Sequence, residues 1–307
     1  VAPVSCAYAP GVTLNYDLLA VDIDGTLADS SGRVPRENAD AIKRAKAAGI
    51  EVVLCTGRSR AESGFAIDAI GPTRAMVSAG GSMVVDPASG ETLHRFPMHE
   101  PVVRGVVDLL TAEGHAALVL KAGTVSAVDY LVGTQNGATI DPVTTWWFET
   151  LGVLYTEIGS LDQDEHPEWT VRVGACAPST RTIPIRDDLL GRYGEQVLFQ
   201  SFPAVVAPEH VKDDGSGGMY HVVEAFARDA HKWSGIDWLC DRFGIDRRRT
   251  AVIGDQINDT TMIEHAGLGI AMGNAVDEIK RIADVHTSTN DECGVAAAVD
   301  RLLAGEW

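Results

Sequence analysis

The chain has 307 residues, of which 45% are hydrophobic and 22% charged, a composition typical of a globular protein with one large domain or two smaller ones. Its 43 Asp and Glu residues exceed its 25 Lys and Arg residues, and the formal net charge of −18 argues against binding to a nucleic-acid backbone. No apolar run is long enough to span a bilayer, and the first residues lack the basic region of a signal peptide, so they are expected to form a poorly specified tail.

After this tail the chain alternates between strand and helix patterns. Short apolar runs alternate with segments in which small apolar residues recur at helical spacing, and Gly49 is a stop signal for the first helix. In chain order the patterns predict strand 16–23, helix 35–49, strand 50–55, helix 58–71 and further strands within 75–86 and 91–96. Such repetition predicts an α/β fold, a doubly wound parallel sheet (Rossmann-like) with helices on both faces.

The pattern changes from about Pro97, where strands occur in pairs with few crossover helices. The predicted elements are helix 101–113, two strands within 116–132, an irregular stretch containing Trp146 and Trp147, strand 169–176, helix 184–193 and strand 196–202. This part is predicted to be a separate α+β domain. Residues 208–220 are polar and rich in glycine, which is typical of a surface loop or hinge.

Strand–helix alternation then returns. The predicted elements are a mostly helical segment 220–245, strand 250–254, helix 258–267, strand 268–273, helix 274–284 and helix 291–305. The predicted organisation is a tail at 1–14, a core domain in two parts and an inserted α+β domain; the core parts are 15–96 and 218–307, and the insertion is 97–217.

The first strand ends in two aspartates, Asp22 and Asp24, followed by Gly25. Residues i and i+2 of an extended strand point to the same side, and the carboxyl end of a parallel strand lies at the ligand-binding edge of such a sheet. Two neighbouring carboxylates oppose each other's ionisation, so a compensating positive group is expected nearby. A calcium loop is excluded, because its sixth and twelfth positions would be Leu27 and Arg33.

Three further positions carry polar groups of the kind that bind phosphate and metal. Thr56 and Gly57 follow the second strand, where a hydroxyl and free backbone N–H groups suit a phosphate, although a simple helix cap is an alternative. Asp255 follows another buried strand, with two further polar side chains close behind it, and is either a Mg²⁺ ligand or a helix cap. Lys232 on an amphipathic pattern would ordinarily be a solvated residue.

Taken together and in chain order (Asp22, Thr56, Lys232 and Asp255), the four positions resemble the motifs of the haloacid dehalogenase-like (HAD) phosphatase superfamily. The first motif is "DIDGT" and the last is "GDQIND", and the tail "HAGLGIAMGNAVDEIKRIAD" resembles the Cof-type subfamily. Asp22 and Thr56 are 34 positions apart, whereas Thr56 and Lys232 are 176 apart, which places the inserted domain between the second and third motifs. This placement and the α+β pattern resemble the C2B cap (subfamily IIB) of sugar-phosphate phosphatases.

The resemblance implies a mechanism. Asp22 would be the nucleophile that forms an aspartyl-phosphate, and Asp24 would be the general acid and base. Mg²⁺ would be held by Asp22, the backbone carbonyl of Asp24 and Asp255. The resemblance further assigns the binding of the substrate phosphate to Thr56, Gly57, Lys232 and Asn258, with Asp259 in a supporting position.

The chain departs from the family pattern at Ala79, where Asn is common, and at Trp233, where Gly is common. The first departure leaves the identity of the substrate open. Trp146 and Trp147 are interpreted as core residues of the inserted domain, with a platform that stacks on a sugar as the alternative.

The expected function is hydrolysis of a small phosphorylated metabolite, a sugar or polyol phosphate, without nucleic-acid or membrane partners and with the oligomeric state left open. One alternative is a phosphohexomutase, for which Arg172 and Arg181 would be candidates to hold a second phosphate. Another is a phospho-ligand sensor without catalysis. The five scattered cysteines lack a C-x-x-C pair, which predicts reduced thiols and a cytoplasmic location.

Overall fold

The computed structural model describes residues 14–123, 127–204 and 219–307. It divides the chain into two compact units. The first comprises the chain up to Gly90 together with His231–Trp307, and the second comprises Glu91–Ala230. The second unit is therefore an insertion into the first.

The observed boundaries differ in position from the predicted ones. The first lies at Gly90 rather than at residue 96, and the second lies at Ala230 rather than at residue 217. The predicted tail at 1–14 lies outside the described residues except for Leu14, and the predicted loop at 208–220 lies outside them except for its last two residues.

The elements of both units are numbered in chain order. The strands are β1 (Leu18–Val21), β2 (Glu51–Cys55), β3 (Met76–Ser78), β4 (Met83–Val85), β5 (Thr92–Arg95), β6 (Ala117–Lys121), β7 (Tyr130–Gly133), β8 (Tyr155–Ile158), β9 (Thr170–Pro178), β10 (Val197–Pro203), β11 (Tyr220–Ala227), β12 (Thr250–Gly254), β13 (Leu268–Ala271) and β14 (Val285–His286). The helices are α1 (Arg36–Ala47), α2 (Gly64–Ile70), α3 (Glu100–Ala112), α4 (Pro142–Leu151), α5 (Ser179–Tyr193), α6 (Lys232–Phe243), α7 (Thr260–His265), α8 (Asp277–Ile282) and α9 (Gly294–Ala304).

The first unit is built on a mainly parallel sheet in which its strands have the order β14-β13-β12-β1-β2-β3-β4. β1 lies between β12 and β2 and is parallel to both, and its four residues are fully buried, as a parallel strand covered on both faces requires. The carboxyl ends of β2, β1 and β12 therefore lie side by side at one edge. Thr56, Asp22 and Asp255 are the residues that follow them.

The second unit is a six-stranded sheet with helices, in the order β10-β11-β9-β6-β7-β8. Its pairs are antiparallel except for β7 with β8. The core contains residues of α3 and α5 together with Val119 of β6 and Val173 of β9. The predicted fold class, a doubly wound parallel sheet with an inserted α+β domain, is confirmed.

The prediction of a mostly helical segment 220–245 was wrong for its first part. Residues Tyr220–Ala227 form β11, which pairs with β9 on one side and β10 on the other, and the helix begins only at Lys232. Glu224 and the alanines of this segment favour a helix locally, but hydrogen bonding to two neighbouring strands outweighs propensities of a few tenths of a kcal/mol, roughly.

The prediction of an irregular stretch around Trp146 and Trp147 was also wrong, because these residues lie in helix α4. Its local signals are clear: Asp141 accepts a hydrogen bond from Thr144 N as the N-cap, Pro142 stands in the first turn, and Gly152 ends the helix in the left-handed conformation. The aromatic run concealed these signals, since it fits neither helical nor strand periodicity.

The two tryptophans of α4 have different surroundings. The Trp147 ring contacts Tyr130 and Phe148 at centroid distances of 6.3 and 5.2 Å, as expected of core packing. Trp146 instead lines a surface cavity of about 460 Å³, together with Ile140, Pro142, Thr145 and Glu149. The core interpretation therefore describes Trp147 better than Trp146.

Candidate active site

Asp22 is the residue that follows β1, and the backbone fixes its position. Its N–H donates to the carbonyl of Ile253 in β12 (3.1 Å), and it is 4% exposed. The chain turns away at Gly25, which has a φ of +74°, and a Cβ there would lie 2.4 Å from Asp255 Oδ2. A glycine at this position therefore allows both the turn and the close approach of the fourth motif.

Three buried carboxylates form a cluster at this edge of the sheet. Asp22, Asp255 and Asp259 each place one carboxylate oxygen within 4.8 Å of the others. Thr26 Oγ1 donates to Asp255 Oδ1 (3.0 Å), and Asp259 Oδ2 accepts from the backbone N–H groups of Asp255 and Gln256 (2.8 and 3.0 Å). These contacts fix two of the three carboxylates before any ligand binds.

Lys232 supplies positive charge to the cluster. Its side chain is fully buried, and its ammonium donates to Asp22 Oδ1 (2.7 Å) and to Asp259 Oδ1. Lys232 is the first residue of α6, where the partial positive charge of the helix dipole opposes a cation, so the two carboxylates must compensate for it. The compensating cation expected beside Asp22 is therefore present, contributed by a residue 210 positions away.

The pKa values reflect this balance. Burial raises the pKa of Asp22 well above its usual value despite the opposing effect of Lys232, and burial together with the charge of Asp259 raises the pKa of Asp255 to about 6. Burial alone would lower the pKa of Lys232, but the charges of Asp22 and Asp259 raise it above its usual value. Three buried carboxylates against one ammonium leave an excess of negative charge, which a divalent cation with oxygen ligands fits.

The Asp24 carboxylate is not part of this cluster and makes its contacts with Arg58 instead. Its side chain is about half exposed, and both of its oxygens accept from the guanidinium of Arg58, at 2.7 Å from Nε and 2.8 Å from Nη2. Arg58 was not among the residues predicted for the site from the sequence. The sequence does show a positively charged residue, Arg58, directly after Thr56 and Gly57. Its contact with Asp24 could not be predicted without the fold.

The second motif lies next to the fourth. Thr56 is fully buried, its N–H donates to the carbonyl of Val77, and its Oγ1 accepts from Arg58 N at 3.2 Å. A Cβ on Gly57 would lie 3.8 Å from Asn258 Nδ2. Asn258 Oδ1 is buried and has no hydrogen-bond partner within the described parts of the chain, so this oxygen can accept from a donor such as a hydroxyl group or water.

The expectation that a helix begins directly after Thr56 and Gly57 was wrong, because α2 begins at Gly64. The residues between include a short 3₁₀ helix (Ala61–Ser63). Ser59 N donates to Glu62 Oε2 (2.9 Å), and Ser63 Oγ donates to the carbonyl of Ser59 (2.8 Å). Such local hydrogen bonds from polar side chains compete with the first turn of a helix.

The turn between β3 and β4 contacts two segments of the site: the one that follows β2 and the one at the start of α6. Ala79, which stands where Asn is common, has a φ of 49°, and its N–H donates to the carbonyl of Arg58 at 2.7 Å. Gly81 has a φ of +106°, and a Cβ there would lie 2.1 Å from the carbonyl carbon of His231 and 2.6 Å from Lys232 N. The absence of a side chain at residue 81 therefore allows the backbone of His231 and Lys232 to lie this close to the turn.

We expect Gly81→Ala to lower the free energy of unfolding by about 2–3 kcal/mol, because the new Cβ meets backbone atoms as well as an unfavourable φ. Gly32→Ala is the matched control, since Gly32 has a φ of +76° and open space around it, and about 1 kcal/mol is expected there. Urea unfolding of both variants measures the difference. Equal losses would show that the contact with His231 and Lys232 is unimportant.

The parallel core, the inserted unit and the buried acidic cluster with its lysine define a haloacid dehalogenase-like hydrolase, and the chain belongs to this family. The sequence model of the family matches residues 19–142 and 203–299. The family predicted from the four motifs is thus confirmed.

Two similar proteins are phosphatases, and the similarity extends over nearly the whole length of each. The phosphatase YwpJ of Bacillus subtilis is 30% identical over 293 residues, which covers 93% of this chain and 99% of YwpJ. The 5-amino-6-(5-phospho-D-ribitylamino)uracil phosphatase YwtE of the same organism is 27% identical over 307 residues, covering 94% of this chain and 99% of YwtE. The protein is therefore an enzyme, a phosphatase of this family.

Solved structures agree in fold. A haloacid dehalogenase-like hydrolase from Bacteroides thetaiotaomicron has a TM-score of 0.74 at 23% identity, covering 94% of this chain and 99% of that one. The HAD subclass IIB sugar phosphatase BT4131 has a TM-score of 0.71 at 20% identity, covering 93% and 98%. Within the described residues, none of the helices has the length and apolar character needed to cross a membrane.

Proposed function

We propose that the protein is a Mg²⁺-dependent phosphomonoesterase that hydrolyses a sugar or polyol phosphate through an aspartyl-phosphate intermediate. The observation that carries the proposal is the buried cluster of Asp22, Asp255 and Asp259 around the ammonium of Lys232. A buried ion pair that only stabilises the fold would balance each ammonium with one carboxylate. This cluster has three carboxylates around one ammonium, and the additional negative charge suits a divalent cation.

Asp22 is the proposed nucleophile. Its oxygen attacks phosphorus, the bond from phosphorus to the ester oxygen breaks, and the ester oxygen takes a proton from Asp24. Asp24 then takes a proton from water, whose oxygen attacks the phosphorus of the aspartyl-phosphate. The bond between phosphorus and the Asp22 oxygen breaks, which releases phosphate and restores both carboxyl groups.

The residues proposed to hold Mg²⁺ are Asp22 and Asp255 through their carboxylates and Asp24 through its backbone carbonyl. When bound, the ion supplies positive charge that offsets the repulsion between a carboxylate nucleophile and a phosphate dianion. Asp259 holds Lys232 and the backbone N–H groups that follow β12. It is therefore proposed to support the site rather than to react.

Four residues are proposed to bind the phosphoryl oxygens: Thr56, Gly57, Lys232 and Asn258. The ammonium of Lys232 carries a full positive charge, and Asn258 Nδ2, which is the donor of the side-chain amide, lies beside Gly57. Neutral donors together with one cation suit a dianion in a site from which water is excluded.

The substrate class is proposed from chemistry and likeness together. The relative YwtE is named for a phosphorylated ribityl chain, which is a primary phosphate ester of a polyol. The net charge of −18 disfavours large polyanionic substrates and leaves small metabolites. We therefore propose a primary phosphate ester on a sugar or polyol.

The test is phosphate release by the purified protein with Mg²⁺ from a panel of sugar phosphates, polyol phosphates and 5-amino-6-(5-phospho-D-ribitylamino)uracil. Release from one or a few of these esters, with kcat/KM in the range of about 10⁴ M⁻¹ s⁻¹ or above, is expected. No release from any member of the panel would count against the proposal.

Metal removal gives a second prediction. EDTA should abolish phosphate release and Mg²⁺ should restore it. Without substrate, Mg²⁺ at about 100 times its Kd should stabilise the fold by about 2.7 kcal/mol, measured by urea unfolding. Asp255→Asn should remove this stabilisation, and Asp68→Asn, which changes an exposed carboxylate of α2, should retain it. Full activity after EDTA treatment would contradict the metal assignment.

The phosphohexomutase alternative receives less support from its two candidate arginines. Arg172 is buried, and its Nη1 lies 2.9 Å from Glu224 Oε1, so its charge is already balanced. Arg181 donates to the backbone carbonyl of Glu113. Product analysis separates the two functions, because a mutase yields an isomerised sugar phosphate and a phosphatase yields free phosphate.

A cytoplasmic location is proposed with the function. The described cysteines, Cys55, Cys176, Cys240 and Cys293, are free thiols, which supports a reducing compartment.

A further inference from the structure

The carboxylate of Asp24 is bound by two parallel hydrogen bonds from one guanidinium. Arg58 Nε donates to Oδ2 (2.7 Å) and Arg58 Nη2 donates to Oδ1 (2.8 Å). A fork of this kind fixes the plane of a carboxylate as well as its position, which a single hydrogen bond does not. Without it, an aspartate whose side chain is 54% exposed would sample several rotamers.

Arg58 itself is held in place from several directions. Its side chain is only 23% exposed, its guanidinium lies 5.3 Å from the centre of the Phe65 ring, and its Nη1 donates to the carbonyl of Glu62 at 3.4 Å. Its backbone carbonyl accepts from Ala79 N. The guanidinium is therefore a rigid support, and Asp24 is the group that it orients.

Because the guanidinium donates to both oxygens, the observed arrangement belongs to the charged form of Asp24. In the reaction sequence this is the form that exists after Asp24 has given its proton to the leaving oxygen. The next event is removal of a proton from the water that attacks the aspartyl-phosphate, and it requires the carboxylate to be correctly oriented.

We propose that Arg58 is the positioning residue that orients Asp24 as the general base for hydrolysis of the aspartyl-phosphate. This inference rests on the proposed function, since it assumes that Asp22 forms the covalent intermediate. Arg58 does not contact the reacting atoms. Its loss slows the second half of the reaction and leaves formation of the intermediate largely intact for an ester with a good leaving group.

The test uses Arg58→Met, which keeps most of the apolar stem against Phe65 and removes the guanidinium. With p-nitrophenyl phosphate, whose leaving group needs little protonation, we expect kcat to fall on the order of 10-fold or more. This is part of the roughly 10²- to 10⁴-fold contributed by general acid–base catalysis. We expect kcat/KM to change less than about threefold and a burst of p-nitrophenol to approach one per chain, because the intermediate accumulates.

Two further variants sharpen the test. Asp24→Asn should show the same burst. In the double variant, Arg58→Met should lower kcat little beyond the loss caused by Asp24→Asn, because both substitutions remove the same function. Arg60→Met is the matched control: Arg60 is two positions away and donates to the carbonyl of Pro87 rather than to Asp24, so kcat should stay near that of the unchanged protein.

Equal losses of kcat and kcat/KM in Arg58→Met, a rise in KM alone, or additive losses in the double variant would overturn the inference. A failure of the proposed function is distinguishable from these results. In that case the unchanged protein would release no phosphate from any ester and form no phosphorylated enzyme.

Discussion

Replacing Asp22 with asparagine is expected to abolish phosphate release while the protein remains folded. The amide has nearly the volume of the carboxylate but lacks the oxygen anion that attacks phosphorus, and removal of a nucleophile costs roughly 10⁴- to 10⁶-fold in kcat. The measurement is steady-state phosphate release with the best ester of the panel, together with a search for the phosphorylated enzyme by mass spectrometry. Neither phosphate nor the covalent intermediate should be detected.

The effect of Asp22→Asn on stability has a predictable sign. Burial raises the pKa of Asp22 in the folded protein above its unfolded value, so the charged carboxylate opposes folding at neutral pH. A neutral amide should therefore leave the free energy of unfolding in metal-free buffer unchanged or increase it, and the benefit should shrink as the pH falls towards the unfolded pKa of aspartate, about 4. Substantial residual turnover in a folded variant would contradict the assignment of the nucleophile.

Of the substitutions proposed for this protein, Lys232→Met is expected to lower the free energy of unfolding the most. The ammonium is completely buried between Asp22 and Asp259, and removing one partner of a buried ion pair costs about 3–5 kcal/mol because the other charges stay uncompensated. Phosphate release should fall as well, since the variant lacks the cation proposed to bind the phosphoryl group. Urea unfolding at neutral pH measures the first effect.

The control for Lys232→Met is Lys43→Met, because Lys43 is exposed on α1 and its ion pair with Asp40 spans 3.6 Å at the surface. A loss below about 1 kcal/mol is expected there. The double variant Asp22→Asn with Lys232→Met should be more stable than Lys232→Met alone, since it carries one fewer uncompensated carboxylate. If the second substitution brings no recovery, the loss comes from packing and the electrostatic account of Lys232 fails.

The elements that local pattern predicts well are the parallel strands of the first unit. β1 is a run of four buried apolar residues, and β12 is apolar after its first residue, Thr250. Burial on both faces of a strand is visible in the sequence as such a nearly continuous apolar run. β11 could not be predicted in this way, since its conformation depends on hydrogen bonds to β9 and β10. The start of α2 was misplaced because Ser59 and Glu62 form local hydrogen bonds that hydrophobic periodicity does not reveal.

The sequence by itself determined the type of chemistry, because the acidic residues, their order and the residues that surround them are read directly from the chain. It also determined that a domain is inserted between the second and third motifs, since a spacing of 176 positions far exceeds one crossover. The tertiary structure decided which groups meet. Asp259 joins Asp22 and Asp255 in one buried cluster, and Asp24 turns to Arg58 instead. The physical reason is that ion pairs depend on distances of a few ångströms between side chains, which only the register of β1, β2 and β12 sets.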